Sequence, residues 1–200
     1  MRNVIVVFAV LFSVLACTGA RAQDHPSDQG LNLALRLSAG EFRATDAGSN
    51  EKVSDVGGGL ALTLGYDFNP VFGLKMELSG NGYSSLAPGL DAGIGSLSLL
   101  MQYRFLPDHF ARPYLRAGLG GYTLEFSDAL GNVTASGGGV PLGAGVEFGI
   151  ARHVSLGVDV TYHIIGYEEV TLESSGVGLT YDIDADGSQI SFSLVTLFYF

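Results

Sequence analysis

The chain has 200 residues, 47% hydrophobic and 15% charged, with a formal net charge of −10. That is too apolar for a disordered tail and too acidic for a nucleic-acid partner, and the length allows one or two domains. In chain order, a targeting segment comes first. Met1-Arg2-Asn3 is a short positive start, Val4 to Ala16 an apolar stretch interrupted only by Ser13, and Ala20-Arg21-Ala22 a small-x-small cleavage pattern. The stretch is too short to span a bilayer as a helix and fits a signal peptide over residues 1–22, with the mature chain starting at Gln23. A second reading stays open: Val14-Leu15-Ala16-Cys17 resembles a lipobox, with Cys17 lipidated. Cleavage at Ala22 removes Arg2 and Arg21, taking 10 basic residues to 8 against 20 acidic ones, a formal charge of −12. It also removes the only cysteine, so the mature chain forms no disulfide.

From there the hydrophobic period is two, the period of strands. Leu31, Leu33, Leu35 and Leu37 alternate with Asn32, Ala34, Arg36 and Ser38. Leu60, Leu62, Leu64 and Tyr66 alternate with Ala61, Thr63, Gly65 and Asp67, and Phe72, Leu74, Met76 and Leu78 with Gly73, Lys75, Glu77 and Ser79. Leu97, Leu99, Met101 and Tyr103 alternate with Ser98, Leu100, Gln102 and Arg104. Leu115, Ala117 and Leu119 alternate with Tyr114, Arg116, Gly118 and Gly120. Tyr122, Leu124 and Phe126 then carry the apolar residues on the other parity, and a bulge at Gly120-Gly121 is the expected cause. Val140 to Ile150, Val154 to Ile164 and Ile190 to Phe200 complete the set, the last with Thr196 as a polar interruption.

These segments predict an all-β chain of eight antiparallel strands. Asn69-Pro70-Val71, Leu106 to Ala111 and Ala151-Arg152-His153 are short connections; residues 44–56, 81–92, 127–138 and 167–187 are longer and rich in Gly, Ser and Asp. Short turns on one side and long loops on the other predict an eight-stranded antiparallel transmembrane up-and-down β-barrel over residues 23–200, with both termini on the short-turn, periplasmic side. A soluble sandwich also alternates. Against it stand several strands of about ten residues, the length that crosses a bilayer when tilted, and a polar face of Gly, Ser and Ala suited to a crowded interior.

Arg112-Pro113-Tyr114-Leu115-Arg116-Ala117-Gly118-Leu119-Gly120 and the terminal Phe198-Tyr199-Phe200 resemble the small eight-stranded outer-membrane barrels of the OmpA/OmpX-like group. The resemblance covers essentially all of the mature chain. It implies residence in the outer membrane of a Gram-negative-type envelope, contact with outer-membrane lipid and lipopolysaccharide, and recognition of Phe200 and Phe198 by the barrel-assembly machinery. Trp is absent, so an aromatic girdle at the periplasmic margin falls to Phe68, Phe72, Tyr103, Phe105 and Phe198.

An eight-stranded barrel has an interior just wide enough for side chains. The expected inward charges are Arg36, Lys75, Arg104 and Arg116 against Asp67, Glu77, Glu147 and Asp159, a balance that predicts an internal salt-bridge network closing the barrel. Arg116 and Glu147 are expected to pair, at similar depths on adjacent strands. The leading functional expectation is a monomer with a structural, membrane-integrity or adhesion-like role, binding an unknown extracellular ligand through four long loops, with no cofactor and no catalysis. A narrow, porin-like channel is one alternative. An outer-leaflet lipid A-modifying enzyme is another, with His153-Val154-Ser155, or His163 near Glu168 and Glu169, as its weak material. Asp182, Asp184 and Asp186 form a weak candidate for a cation site in the last loop.

Overall fold

The computed structural model describes residues 29–45, 52–87, 90–128, 131–174 and 177–200; the expected signal peptide, its cleavage site and Cys17 lie outside them. Leucine, valine and aromatic residues at alternate positions make one face of each segment apolar, and only a sheet presents such a face continuously. The strands are β1 Gly30–Thr45, β2 Lys52–Asp67, β3 Phe72–Ala87, β4 Leu90–Arg104, β5 Ala111–Asp128, β6 Gly131–Ala151, β7 Val154–Ser174 and β8 Val177–Tyr199. Each pairs antiparallel with its sequence neighbours, and β8 pairs with β1 to close the barrel. The chain ends and the short turns between β2 and β3, β4 and β5, and β6 and β7 share one rim, where Phe200 N–H donates to the Leu31 carbonyl.

The register fixes the shape. Directly paired residues run from Leu35 to Leu62, Leu78, Leu97, Gly121, Gly138, Gly166 and Asp186, and Asp186 pairs with Thr45 on β1. One circuit therefore climbs from residue 35 to residue 45, a stagger of ten. With strands about 4.8 Å apart and about 3.3 Å per residue, that stagger gives a tilt of about 40° and a backbone radius of about 8 Å.

The outward face is apolar from the terminal rim to about mid-strand. On β1 it reads Leu31, Leu33, Leu35, Leu37, and on β7 Leu156, Val158, Val160, Tyr162 and Ile164. At the observed tilt these stretches rise roughly 15 Å on β1 and roughly 20 Å on β7, close to the height of a bilayer's hydrocarbon layer as barrels meet it. Tyr66, Phe68, Phe72, Tyr103 and Phe105 crowd its terminal margin, with ring contacts between Tyr66 and Phe68, Phe68 and Phe72, and Tyr103 and Phe105. Above the band the outward positions become glycine, among them Gly80, Gly95, Gly121, Gly138 and Gly166, and then polar or acidic, including Ser54, Glu125, Asp182 and Asp186.

Two sequence expectations are corrected here. Among the described residues the segments read as long loops are strand, since β1 to β8 continue through 44–45 and 52–56 and through nearly all of 81–92, 127–138 and 167–187. No bulge interrupts Gly120-Gly121, because the β4–β5 register runs unbroken from Asp91↔Ser127 to Arg104↔Tyr114. Both errors have one cause. Beyond the apolar band water surrounds the wall, so the apolar residues turn inward: Tyr122 and Leu124 are buried, and with Phe42, Tyr83, Ile94, Ile165 and Tyr167 they form a core inside the distal half. The alternation keeps its phase and inverts its polarity. The register shifts that do occur lie between Tyr83 and Ala87, between Ser136 and Gly137, between Gly149 and Ala151, and between Tyr167 and Glu169.

The inward glycines answer to the same packing. A Cβ on Gly145 would meet Asp159 Cβ and the Tyr114 ring at 2.6 Å, whereas one on Gly138 would meet nothing within 4 Å. Gly145→Ala is expected to destabilise the barrel by about 1–3 kcal/mol through overpacking. Gly138→Ala, on the open outer wall, should stay within about 0.5 kcal/mol of wild type. Urea midpoints followed by far-UV circular dichroism compare the two.

Candidate functional site: the charged interior

Alternate strands supply alternate layers of inward side chains, because the stagger lifts each strand by slightly more than one residue relative to the last. The middle layer comes from the odd strands. Glu77 on β3 accepts from Arg116 Nη1 on β5 at 2.8 Å and from Thr63 Oγ1 at 3.1 Å, and lies 2.9 Å from Arg36 Nε on β1, which donates to Thr63 Oγ1 at 3.4 Å. Asp159 on β7 accepts from Arg36 Nη1 and, at 2.7 Å, from the Tyr114 hydroxyl, and lies 3.5 Å from Arg116 Nη2. Arg116 also donates to Thr161 Oγ1. The four charges close into a ring of alternating sign: Arg36, Glu77, Arg116, Asp159.

The layer nearer the termini comes mainly from the even strands. Asp67 on β2 accepts from Asn32 Nδ2 at 2.9 Å, from Lys75 Nζ at 2.7 Å and from Arg104 Nη2 at 3.4 Å. Glu147 on β6 accepts from Arg104 Nε and the Tyr199 hydroxyl at 3.1 Å and from Gln102 Nε2 at 2.9 Å, and Arg112 Nη2 lies 3.7 Å away. The Arg112 guanidinium stands 5.8 Å over the Tyr199 ring and donates to Ser155 Oγ at 2.8 Å. Charges this deeply buried are tolerated only when paired and hydrogen-bonded. Each carboxylate here has at least three donor groups within 3.5 Å, as hydrogen bonds or ion pairs.

All eight inward charges expected from the sequence are buried inside the barrel. Arg116 and Glu147 are not partners. Across β5–β6 Arg116 faces Gly143 while Glu147 faces Arg112. Counting residues from the turns ignores the strand tilt, which brings to one level the residues of strands two apart; Arg116 therefore meets Glu77 and Asp159. Arg112 was missed. It lies two and four residues before Tyr114 and Arg116, so parity alone could have found it, but its place beside a turn hid the signal. With Arg112 and the buried Asp55 in the distal half, the inward charges become five basic and five acidic among the described residues.

The remaining sequence candidates are scattered. His153 Nδ1 lies 3.2 Å from the Tyr199 carbonyl oxygen, while Ser155 Oγ accepts from Arg112, so the two are not joined as base and nucleophile. His163 Nδ1 lies 2.9 Å from the Tyr122 hydroxyl, and Glu168 and Glu169 are exposed at the β7–β8 register shift. Asp182, Asp184 and Asp186 occupy alternate positions of β8 and not a loop. Among the described residues no group of three His, Cys, Asp or Glu side chains is placed to hold a metal. Phe200 and Phe198 stand at the terminal rim, Phe200 highly exposed.

A closed eight-stranded barrel with an apolar outer band and a polar, charged interior defines a membrane barrel. Residues 8–194 match the family model of the outer membrane protein beta-barrel domain, and the chain belongs to that family. No curated protein matches it by sequence. Among solved structures it is similar to Neisserial surface protein A (16% identity, TM-score 0.61, covering 84% of this chain and 97% of that one). It is also similar to OprG of Pseudomonas aeruginosa (14% identity, TM-score 0.55, 85% and 96%) and to a major outer membrane protein of Thermus thermophilus (12% identity, TM-score 0.55, 84% and 98%). At such identities the likeness is one of fold. Family and fold place the chain in the outer membrane.

Proposed function

We propose that this protein is a monomeric outer-membrane barrel whose interior is closed by its own side chains, with a structural or surface-interaction role carried by the four distal hairpins. The observation that carries this reading is the pair of charged layers. Arg104, Arg112, Asp67 and Glu147 are each no more than 2% exposed inside an eight-stranded wall, a packing that supports a closed interior. The polar and acidic outward residues beyond the apolar band suit a surface in contact with the sugar-phosphate layer of lipopolysaccharide and with an external ligand. The termini would face the periplasm, with Phe198 and Phe200 offered to the assembly machinery. Purified protein in planar bilayers should give no current steps; regular steps would favour a channel. For orientation, single cysteines at Glu125 or Asp182 should react with a membrane-impermeant maleimide on intact cells, and those at Asn69 or Arg152 should not. The reverse labelling would invert the topology.

A further inference from the structure

We propose that the distal edge of β8 takes up an extended, basic segment of an external partner as an added strand. The inference rests on the surface-interaction reading and names the chemistry of the partner. The register creates the edge. Closing the barrel with a stagger makes the last strand overtop the first: β1 ends at Thr45, paired with Asp186, while β8 continues along β7 to the pair Ser174↔Val177. Residues 177–185 of β8 therefore have β7 on one side and, among the described residues, no strand on the other. At about 3.3 Å per residue and a tilt of about 40°, this edge rises roughly 20 Å along the axis. The N–H and C=O groups along such an edge are a template for a further strand.

The inner face behind this edge is apolar and ends exposed. One row of direct pairs runs Leu124, Ala135, Val170 and Tyr181, and the next runs Phe126, Val133, Leu172 and Leu179. Exposure climbs along the first row from 5% at Leu124 and 6% at Ala135 to 52% at Tyr181, and Leu179 at the end of the second is 53% exposed. A strand added to β8 with apolar residues at alternate positions would extend both rows and bury Tyr181 and Leu179. The outer face sets the charge. Between residues 166 and 189 the chain holds Glu168, Glu169, Glu173, Asp182, Asp184 and Asp186, and no Lys or Arg. Asp182 is exposed directly opposite the exposed Glu169, and like charges so placed repel. Lys or Arg at the outward positions of the added strand relieves that repulsion. A second copy of this chain would bring the same acidic strand and is disfavoured for that reason. Charge complementarity therefore points to a basic partner whose outward Lys or Arg residues alternate with apolar ones.

The probe is a fluorescent peptide of about nine residues alternating lysine and valine, titrated with the detergent-folded protein and followed by anisotropy. It should bind about tenfold or more tighter than a glutamate–valine peptide, and by a similar margin over a lysine–valine peptide methylated on every backbone nitrogen. No binding, or equal binding of the methylated peptide, overturns the added strand, since the methylated form can adsorb by charge but cannot pair. Glu169→Lys/Asp182→Lys changes only exposed positions. It should keep the heat-modifiable gel mobility of the folded barrel and turn the preference toward the glutamate–valine peptide; an unchanged preference overturns the assignment to this edge. If that pair does not fold, Asp182→Asn should weaken the preference for lysine–valine severalfold, and no change there is equally fatal. Intact cells separate the edge from the reading beneath it. Purified protein that does not bind, with the cysteines at Glu125 and Asp182 labelled on cells, overturns the edge alone. Binding by purified protein but not by cells carrying it overturns the surface-interaction role and leaves the edge standing.

Discussion

Replacing Glu147 by alanine is expected to lower the unfolding free energy by about 3–5 kcal/mol, the cost of leaving buried charge uncompensated. Glu147 is the shared acceptor for Arg104, Gln102 and Tyr199 and lies 3.7 Å from Arg112 Nη2. Its removal leaves two guanidiniums facing each other at a depth water does not reach. The chain has no tryptophan, so urea unfolding is best followed by far-UV circular dichroism or by the gel-mobility difference between folded and unfolded barrel. Double-mutant cycles identify the partners. Arg116 with Glu77 should couple by about 0.5–3 kcal/mol, whereas Arg116 with Glu147, which share no bond, should add to within about 0.5 kcal/mol. Strong coupling between Arg116 and Glu147 would show that the layered arrangement of odd and even strands is wrong.

Leu99→Arg is expected to cost about 2–4 kcal/mol, the penalty for a cation at the bilayer midplane on the lipid face of a barrel. Leu99 points outward and is well exposed on the wall, midway along β4 between Tyr103 at the terminal margin and Gly95, where the outer face ceases to be apolar. Gly93→Arg on the same face, two residues further out, should cost no more than about 1 kcal/mol, since the penalty falls toward the interface and a Cβ there meets nothing closer than 3.8 Å. Refolding into lipid vesicles measures both. Equal penalties at Leu99 and Gly93 would mean that the apolar band is misplaced along the barrel.

The sequence by itself determined the strand count, the short turns and the inside and outside of the wall within the bilayer. Each follows from a period of two read against a uniform apolar solvent: Leu31 to Leu37 point outward and Arg36 inward for the same reason, and the eight expected inward charges are all inside. The distal half was misread because the solvent changes there. Once water replaces lipid outside, Tyr122 and Leu124 belong inside, and an unbroken strand looks like one that has slipped its phase. Glycine and serine in the same segments look like loop, although continuous ladders hold them as strand. The choice of charge partners was beyond any local reading. Which carboxylate Arg116 meets depends on the stagger of ten residues around the closed barrel, a property of all eight registers together, and that stagger sets Arg116 level with residues two strands away on either side. Only the closed tertiary structure decided that Glu77 and Asp159, and not Glu147, share its layer.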